Sequence, residues 1–373
     1  MKIRPNMFFR RYYWEKLFSL IYERIFRPVN VESVLDKCVR VYHSPLAASK
    51  HGGVKLRILF LAHKDDYGNA TRGLSIEENY FFHSLYEMGY ELIRFDFAEI
   101  MREYGRKRMN EMLMETVYRY APDLLFSILF KKEVEPDTIR KISSQGRTVT
   151  MNWFCDDLWR FEEFSQYYAP CFHWVITTAA SALSKYREAG VRNVIFSQWA
   201  CNHHLCYKMD LPKIYDISFV GLPHGNRREV IARMRKEGLD VRTWGYGWKE
   251  GRITQSQMVR VFNQSRINLN LSNLSTKEGQ QIKERNFEIP GCGGFLLTGY
   301  AENLSDYYDV GKEIACFDDV DDLIRKAKYF LAHEKERAAI AEAGYARTIA
   351  EHTYDARFRQ IFAKVGLIPD AGW

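Results

Sequence analysis

The segment IKERNFEIPGCGGFLLTGY, residues 282–300, joins a charged helical start to an apolar strand through Pro290 and three glycines. A polar helix, a glycine-rich step and a buried strand in this order are typical of parallel α/β sheets. A single carboxylate, Glu288, lies on the last predicted turn before the glycines. We therefore expect the segment to belong to a sheet that helices cover on both faces.

Two series of strands and helices follow each other along the chain. The first begins with KLRILFLA at residues 55–62 and ends with VRNVIFSQWA at residues 191–200. The second begins with YDISFVG at residues 215–221 and ends with a helix at residues 320–333. This alternation predicts an α/β protein with two Rossmann-like domains of similar size that face a cleft.

The composition is that of an ordinary globular protein. The chain has 373 residues, of which 46% are hydrophobic and 27% are charged. No apolar run approaches the roughly 20 residues that span a bilayer, and no secretory leader pattern is present. The seven dispersed cysteines suggest free thiols in a reducing compartment, so we expect a cytoplasmic protein.

The basic charge is concentrated near the N-terminus. Residues 1–54 hold ten Lys and Arg against four Asp and Glu, so they carry +6 of the net charge of +7. The rest of the chain is therefore almost neutral, which argues against a nucleic-acid groove across it.

The N-terminal arm, residues 7–27, has the pattern of a basic, aromatic-rich amphipathic helix. Apolar side chains recur at helical spacing at positions 14, 17, 18, 21 and 25. Such a helix can lie in an anionic membrane surface, which would place the protein on the inner face of the membrane. The alternative is that the arm docks on the body or on a second subunit. The chain is predicted to divide into four parts: an arm with a linker (1–54), an N-terminal Rossmann-like domain (55–205), a C-terminal Rossmann-like domain (206–350) and a C-terminal helix that crosses back to the N-terminal domain (351–373).

Ligands of open parallel sheets bind beyond the carboxyl ends of the strands. In the first domain, the loop HKDDYGNATRG at residues 63–73 and the acids of WFCDD occupy such places. The acids can act as a base or bind sugar hydroxyls, or one of them can cap the next helix. The loop either contacts a ligand or is a plain surface loop. The predicted catalytic residues are Asp156, Asp157 and His63, and the predicted acceptor or cleft residues are Asp65, Asp66, Gly68 and Asn69.

In the second domain, three segments have the parts that a nucleotide diphosphate needs. Basic residues at the helix start in LPHGNRREV suit an anion, and the aromatics of WGYGW can stack a base or pack in a turn. In the opening segment, Lys283 and Arg285 can neutralise phosphates and Glu288 can accept a ribose diol, unless Glu288 is only an exposed residue at a helix end. The predicted donor-binding residues are Glu288, Arg285, Lys283, Asn286, Gly293, Gly294, Gly221, Asn226, Arg227, Tyr246, Gly247 and Trp248.

Two segments contain residue types that bind metals. CNHHLC, residues 201–206, lacks the second ligand pair of a zinc module, and we interpret it as a plain interdomain linker. DDVDD, residues 318–322, precedes an amphipathic helix, so capping explains its acids better. We therefore predict no metal site.

The second domain resembles a known family. RNFEIPGCG, followed by a strand, an acidic helix start and HTYDAR, resembles the R-x-F-E-x-x-x-C-G and H-T-Y-x-x-R signature of CgeB-like glycosyltransferases. The resemblance covers about residues 215–362, and the first domain is similar only through WFCDD. It implies a GT-B fold and the transfer of a sugar from a nucleotide donor that the C-terminal domain binds.

FEIPGCG is also similar to the LEAMACG segment of GT4-type transferases, in which the second glutamate of an E-x7-E pattern binds the donor ribose. The resemblance assigns that role to Glu288. The first glutamate of the pattern would fall at Gln280, so this sequence departs from the pattern there.

We therefore expect a glycosyltransferase that uses no metal and acts on a glycan, a lipid-linked glycan or a protein. An inverting reaction would need a base from the first domain, whereas a retaining reaction would not. The alternatives are a sugar-nucleotide epimerase of the same fold and a non-catalytic protein that binds nucleotides or glycans.

Overall fold

The computed structural model describes residues 34–45, 56–273 and 279–370. The predicted arm helix at residues 7–27 and most of the predicted linker lie outside the described residues. Within them, the chain forms two sheets that are parallel except for one edge strand. The predicted α/β fold with two parallel-sheet domains is confirmed.

The N-terminal sheet has seven strands in the order β1-β3-β2-β4-β5-β6-β7. Strand β2 lies inside the sheet and pairs in parallel with β3 and β4, and Leu59 lies opposite both Ile93 and Leu125. Five consecutive buried residues in β2 reflect helices on both faces. In chain order, β1 to β7 are Val39–His43, Arg57–Ala62, Glu91–Asp96, Leu124–Ser127, Val149–Phe154, Trp174–Thr177 and Val194–Phe196.

The C-terminal sheet has five parallel strands in the order β12-β11-β10-β8-β9. Strand β10 is central and pairs with β8 and β11. In chain order, β8 to β12 are Tyr215–Val220, Val241–Trp244, Ser265–Asn270, Leu296–Gly299 and Ala315–Phe317.

Helices cover both sheets. Those of the N-terminal half, α1 to α7, are Val34–Cys38, His83–Glu87, Phe97–Tyr120, Pro136–Ser144, Asp157–Arg160, Gln166–Tyr168 and Ala182–Glu188. A π-helical turn, Glu77–Phe82, precedes α2, and a second, Phe161–Ser165, follows α5. Those of the C-terminal half, α8 to α13, are Arg227–Lys236, Gln255–Gln264, Arg285–Gly291, Val320–Ala332, Glu334–Glu351 and Tyr354–Lys364. No described helix has the length and apolar character that a bilayer span requires.

Two predicted boundaries differ from the structure. Strand β1 pairs antiparallel with β3, so residues 39–43 belong to the N-terminal sheet and not to a separate arm. The sequence predicts a helix from about Gln280 to Gly291. In the structure this helix begins only at Arg285, because Gln280 forms an isolated bridge with Asn273.

The C-terminal helix α13 returns to the N-terminal domain. Its Phe358 packs against Phe81 and Phe126, with ring centroids 5.9 and 5.8 Å apart, and Phe362 packs against Tyr90 at 5.7 Å. One apolar cluster therefore includes buried residues of both domains and of this helix.

Candidate functional site

Loops that follow strands of the two sheets meet along one cleft. Asp66, in the loop after β2, accepts a hydrogen bond from Arg252, which follows β9, and the two atoms are 2.8 Å apart. The Tyr80 hydroxyl donates to Gln255 Oε1 at 3.0 Å, which joins the first domain to the start of α9. The cleft thus lies at the carboxyl ends of the strands, where open α/β sheets bind ligands.

Three basic side chains form a cluster on the C-terminal side of the cleft: His224, Arg227 and Lys283. Burial and the neighbouring Arg285 lower the pKa of Arg227 to about 10. Burial, together with Arg227 and Lys283, lowers the pKa of His224 to about 4, so this imidazole is neutral at pH 7. Burial also lowers the pKa of Lys283, while Glu284 and Asp156 act to raise it. Arg227 and Lys283 are therefore partly desolvated cations that repel each other, which is typical of a site for an anion.

The loop geometry around Arg227 fixes its guanidinium. Nη1 donates to the carbonyl of Leu222 at 2.9 Å and Nη2 donates to that of Leu271, while Nε is buried and has no hydrogen-bond partner among the described residues. Arg227 therefore braces two loops and keeps one donor uncommitted. The predicted Asn226 is exposed at the N-cap of α8 and its side chain makes no capping bond.

Glu288 is fully buried, so the structure does not present it to a ligand. It forms an ion pair with Arg285, whose Nε also donates to the carbonyl of Val220 at 3.3 Å. Burial raises the pKa of Glu288 to about 7, although Arg285 acts to lower it. Tyr80 of the first domain lies close enough to influence this carboxyl group. In this conformation, Glu288 holds Arg285 in place, and its predicted contact with ribose stays a prediction.

Three other predicted donor residues face away from the cleft. Asn286 is completely buried, and its amide bonds to Lys283, Asn270 and Thr298 inside the domain. Gly293 and Gly294 follow the far end of α10, because this helix runs antiparallel to the strands. A Cβ at Gly293 would lie 2.9 Å from Lys208 Cγ and one at Gly294 would lie 2.7 Å from Asn268 Nδ2. These glycines therefore permit close packing, and their predicted contact with a diphosphate stays a prediction.

The segment WGYGW, residues 244–248, is predicted either to stack a base or to pack in a turn. In the structure, Trp248 packs in the turn. The indole Nε1 donates to the carbonyl of Gly221 at 2.8 Å, and the ring packs edge-on against Phe219. Gly247 is exposed with φ of +97°. Tyr246 is 64% exposed and its ring lies 5.3 Å from the Arg72 guanidinium of the first domain. Tyr246 thus remains the aromatic ring that a base can reach.

The two adjacent acids after β5 have different environments. Asp157 is buried and accepts a hydrogen bond from the Tyr186 hydroxyl at 2.8 Å, and burial raises its pKa to about 6. In this structure it bonds inside the domain, and its predicted role as a base stays a prediction. Asp156 is half-buried at the N-cap of α5 without a side-chain capping bond, and its charge acts on Lys283 across the cleft.

His63 is a weak proton acceptor in this structure. Its ring packs on Phe97 with centroids 4.4 Å apart, and burial lowers its pKa to about 4. A general base works best when its pKa lies near the working pH, so this environment disfavours the predicted catalytic role.

The predicted acceptor loop contacts the opposite domain. Asp66 is shared by Arg72 and Arg252, whereas Asp65 forms a bridge with Leu74 that closes the loop. Asn69 caps a short 3-10 turn by accepting from Thr71 N at 3.0 Å. Gly68 has φ of +68°, and a Cβ there would lie 2.8 Å from Ala98 Cβ, so a larger residue does not fit. The loop is thus a folded connection across the cleft.

The sequence reasoning missed two half-buried glutamates that flank the cleft. Glu77 begins the π-helical turn of the first domain, and burial raises its pKa to about 7. Glu284 immediately precedes α10 and its charge acts on Glu77. In the sequence, only the neighbouring acidic residues of SIEENY and KERNFE indicated these two glutamates. Helix capping explains acidic residues at those places equally well.

A small cavity between the domains is lined by polar side chains and by apolar ones such as Leu158 and Phe196. Thr178 and Gln198 come from the first domain, and Gln280, Gln281 and Glu302 come from the second. The side-chain oxygens of Gln280 and Gln281 are buried without a hydrogen-bond partner among the described residues. The cavity has a volume of about 20 Å³, which is room for about one water molecule and not for a sugar.

Residues 227–363 match a protein family described as glycosyl transferase-like. Over 208 residues, the chain is 24% identical to the spore protein CgeB of Bacillus subtilis strain 168, and the match covers 48% of this chain and 64% of that protein. The chain thus spans less than two thirds of the curated relative that it matches.

Several solved structures have a similar fold. Sucrose-phosphate synthase of Thermosynechococcus elongatus has a TM-score of 0.61 at 10% identity, covering 84% of this chain and 99% of that chain. A glycosyltransferase from Rickettsia africae has a TM-score of 0.59 at 10% identity, covering 83% and 98%. HepE of Anabaena, in complex with UDP and glucose, has a TM-score of 0.56 at 13% identity, covering 83% of this chain and 99% of that chain.

These likenesses confirm the predicted GT-B architecture. The comparisons also confirm the resemblance to CgeB-like glycosyltransferases, and the C-terminal domain matches the glycosyl transferase-like family.

Proposed function

We propose that this chain is a glycosyltransferase that transfers a sugar from a nucleotide diphosphate donor to an acceptor. One observation carries the proposal: Arg227 is buried at the cleft and its Nε has no hydrogen-bond partner among the described residues. His224 and Lys283 lie close enough for their charges to influence one another and Arg227. Support for the donor class comes from the family match and from HepE, which was solved with UDP and with UDP-glucose. UDP-sugars are therefore the first donors to test.

The basic cluster suits the leaving group of the reaction. As the bond between the sugar and the diphosphate breaks, negative charge builds on the phosphate oxygens. Fixed cations in a site that excludes water stabilise this charge more in the transition state than in the ground state. Arg227 and Lys283 supply such charges, so the reaction needs no metal, and we expect a chelator to leave the rate of donor turnover unchanged.

The first domain supplies the acceptor side of the proposed site. For an inverting reaction, Asp156 is our first candidate for the general base because it is half-buried and lies at the cleft. Glu77 is the second candidate, since its pKa of about 7 suits proton transfer at neutral pH. Tyr246 is the candidate for stacking of the base, and Glu288 positions Arg285.

The acceptor is proposed to be a glycan, a lipid-linked glycan or a protein. The basic pattern of residues 7–27 supports an acceptor at the inner membrane surface in a cytoplasmic, peripheral protein. Liposome flotation of the full chain and of a chain without residues 7–27 tests this placement. Loss of flotation only in the shortened chain is expected, and equal flotation of both chains would refute it.

Calorimetric titration with UDP, GDP, dTDP, ADP and CMP tests the proposed function, followed by release of nucleotide from matching sugar donors. We expect one nucleotide to bind most tightly. The sugar donor that contains this nucleotide should release it faster when an extract with the acceptor is added than without the extract. Interconversion of donor isomers without an acceptor would show an epimerase instead. Tight binding without any turnover would show a binding protein, and absence of nucleotide binding would reject the donor site.

A further inference from the structure

We propose that His203, His204 and Asp355 form a binding site for a divalent transition metal of the zinc type. The two imidazoles and the carboxylate each offer one ligand atom, and these atoms all lie within 4.8 Å of one another. This site is separate from the proposed donor site, and the inference does not depend on the proposed function.

The donor set is one that zinc prefers. Zinc binds imidazole nitrogen and carboxylate oxygen at about 2.0–2.2 Å, so the ligand atoms of a tetrahedral site lie about 3.3 Å apart. His204 Nε2 and Asp355 Oδ1 are already 3.1 Å apart. The third ligand atom, from His203, lies within 4.8 Å of these two, and its ring lies 4.0 Å from that of His204. Water would fill the remaining position.

Backbone pairing brings the ligands together. Cys201, at the start of the histidine turn, pairs with Thr353 in a parallel bridge, and its N–H donates to the carbonyl of His352 at 2.8 Å. Asn202 fixes the turn because its Oδ1 accepts from His204 N at 3.1 Å and its Nδ2 donates to the carbonyl of Asn79 at 2.7 Å. The main chain therefore holds both histidines beside the first turn of α13, where Asp355 lies.

The surroundings also suit a bound ion. An open cavity of about 620 Å³ is lined by His203, His204 and Asp355, so an ion reaches them from solvent. Arg359 lies 3.7 Å from Asp355 Oδ2, the oxygen that does not face His204. The positive charge of Arg359 repels a metal ion. Because Arg359 contacts Oδ2, however, Oδ1 stays available to the ion, and the contact orients the carboxylate as residues around metal ligands commonly do.

A metal here would tie together parts of the chain that are far apart in sequence. The histidines belong to the connection between the domains, whereas Asp355 lies on the first turn of the helix that returns to the N-terminal domain. His83 of α2 is adjacent, with its ring 6.3 Å from that of His204. Binding to the folded state alone would stabilise this junction by mass action.

Calorimetric titration of chelator-treated full-length protein with zinc chloride tests the site. We expect about one equivalent to bind and to raise the melting temperature. His204→Ala and Asp355→Asn should each weaken zinc binding at least about tenfold. His333→Ala removes an exposed histidine that stacks on Tyr329 elsewhere, and it should bind zinc as the wild type does.

Cobalt substitution in the wild type provides a test that needs no variant to fold. A histidine and carboxylate site should give visible d–d bands without the near-ultraviolet charge-transfer band of a cobalt thiolate. That thiolate band would assign the ion to cysteines and overturn the proposal. No saturable zinc binding, or unchanged binding in both ligand variants, would overturn it as well.

Discussion

Asp66 of the first domain and Arg252 of the second form an ion pair across the cleft, with Oδ2 and Nη1 2.8 Å apart. Asp66 also pairs with Arg72 of its own loop at 2.9 Å. One carboxylate is therefore shared by a cation from each domain, and the loop after β2 is linked to the loop after β9.

Loss of this pair should loosen the cleft without unfolding either domain. Because both side chains are partly exposed, we expect a coupling free energy of about 0.2–1 kcal/mol in an Asp66→Asn and Arg252→Ala double-mutant cycle, and a smaller value at high salt. Hydrogen exchange should become faster in residues 63–73 and around Tyr80. Arg242→Ala, which breaks an exposed pair with Asp240 within the second domain, is the control and should leave this region unchanged.

Lys283→Ala should weaken UDP binding by about ten- to a hundredfold, because a hydrogen bond to a charged group contributes about 1.5–3 kcal/mol. The affinity for uridine, which has no phosphate, should stay the same, and calorimetry with both ligands measures the difference. Lys236→Ala, at the far end of α8, is the matched control for a lost positive charge. An equal loss for UDP and uridine would mean that Lys283 acts on the loop structure and not on phosphate.

Glu288→Ala should destabilise the protein by about 3–5 kcal/mol because it leaves the charge of Arg285 without its buried partner. Replacing both residues with leucine should cost less, since no buried charge then remains. Urea unfolding of the two variants measures this difference. If Glu288→Ala were the milder change, the ion pair would not explain the burial of Glu288.

Gly245→Ala should disturb the turn that carries Tyr246 and Trp248. Gly245 has φ of +140°, and a Cβ there would lie 2.3 Å from the carbonyl oxygen of Gly221. We expect a loss of stability well above the roughly 1 kcal/mol that a positive φ alone costs an alanine. Gly238→Ala is the matched control, since Gly238 has φ of +85° and nothing within 4 Å of its added Cβ. Equal melting temperatures of the two variants would contradict the close approach.

Asp157 should make the free energy of unfolding depend on pH. Burial raises its pKa from an ordinary 3.8 to about 6, so between these values the folded state keeps a proton that the unfolded chain has lost. Its contribution is fully present below pH 3.8 and is lost as the pH rises through 6. Asp157→Asn should therefore become relatively more stable, compared with the wild type, as the pH rises from about 4 to 7.

Urea unfolding at several pH values measures this trend. Asp137→Asn is the control because Asp137 lies on the exposed first turn of α4 and pairs with Arg140. A constant difference between Asp157→Asn and the wild type across this range would show that burial does not perturb Asp157.

Much of the fold follows from local patterns. The apolar run of β2 and the alternation of strands with helices predict parallel sheets, because a strand buried on both faces must be apolar along its whole length. The position of Lys283 and Arg227 near strand ends also follows from this pattern. The residue at which α10 begins does not follow from this pattern, because a bridge between Asn273 and Gln280 takes the place of the expected first turn.

The direction of individual side chains could not be derived from the sequence. Asp156 and Asp157 are neighbours in WFCDD, yet one lies at the cleft and the other bonds to Tyr186 inside the domain. Glu288 and Asn286 have the residue types of a donor site but are buried, because α10 packs against strands β10 and β11 and helix α12. Only the packing of neighbouring elements decides such directions.

The sequence by itself determined the fold class, the two-domain order and the resemblance to glycosyltransferases, because these depend on periodicity and on contiguous motifs. The tertiary structure decided which charges meet. Asp66 meets Arg252, and His204 meets Asp355, although these pairs are separated by 186 and 151 positions. The energy of a charge depends on its distance to other charges and to water, and only the folded chain sets those distances.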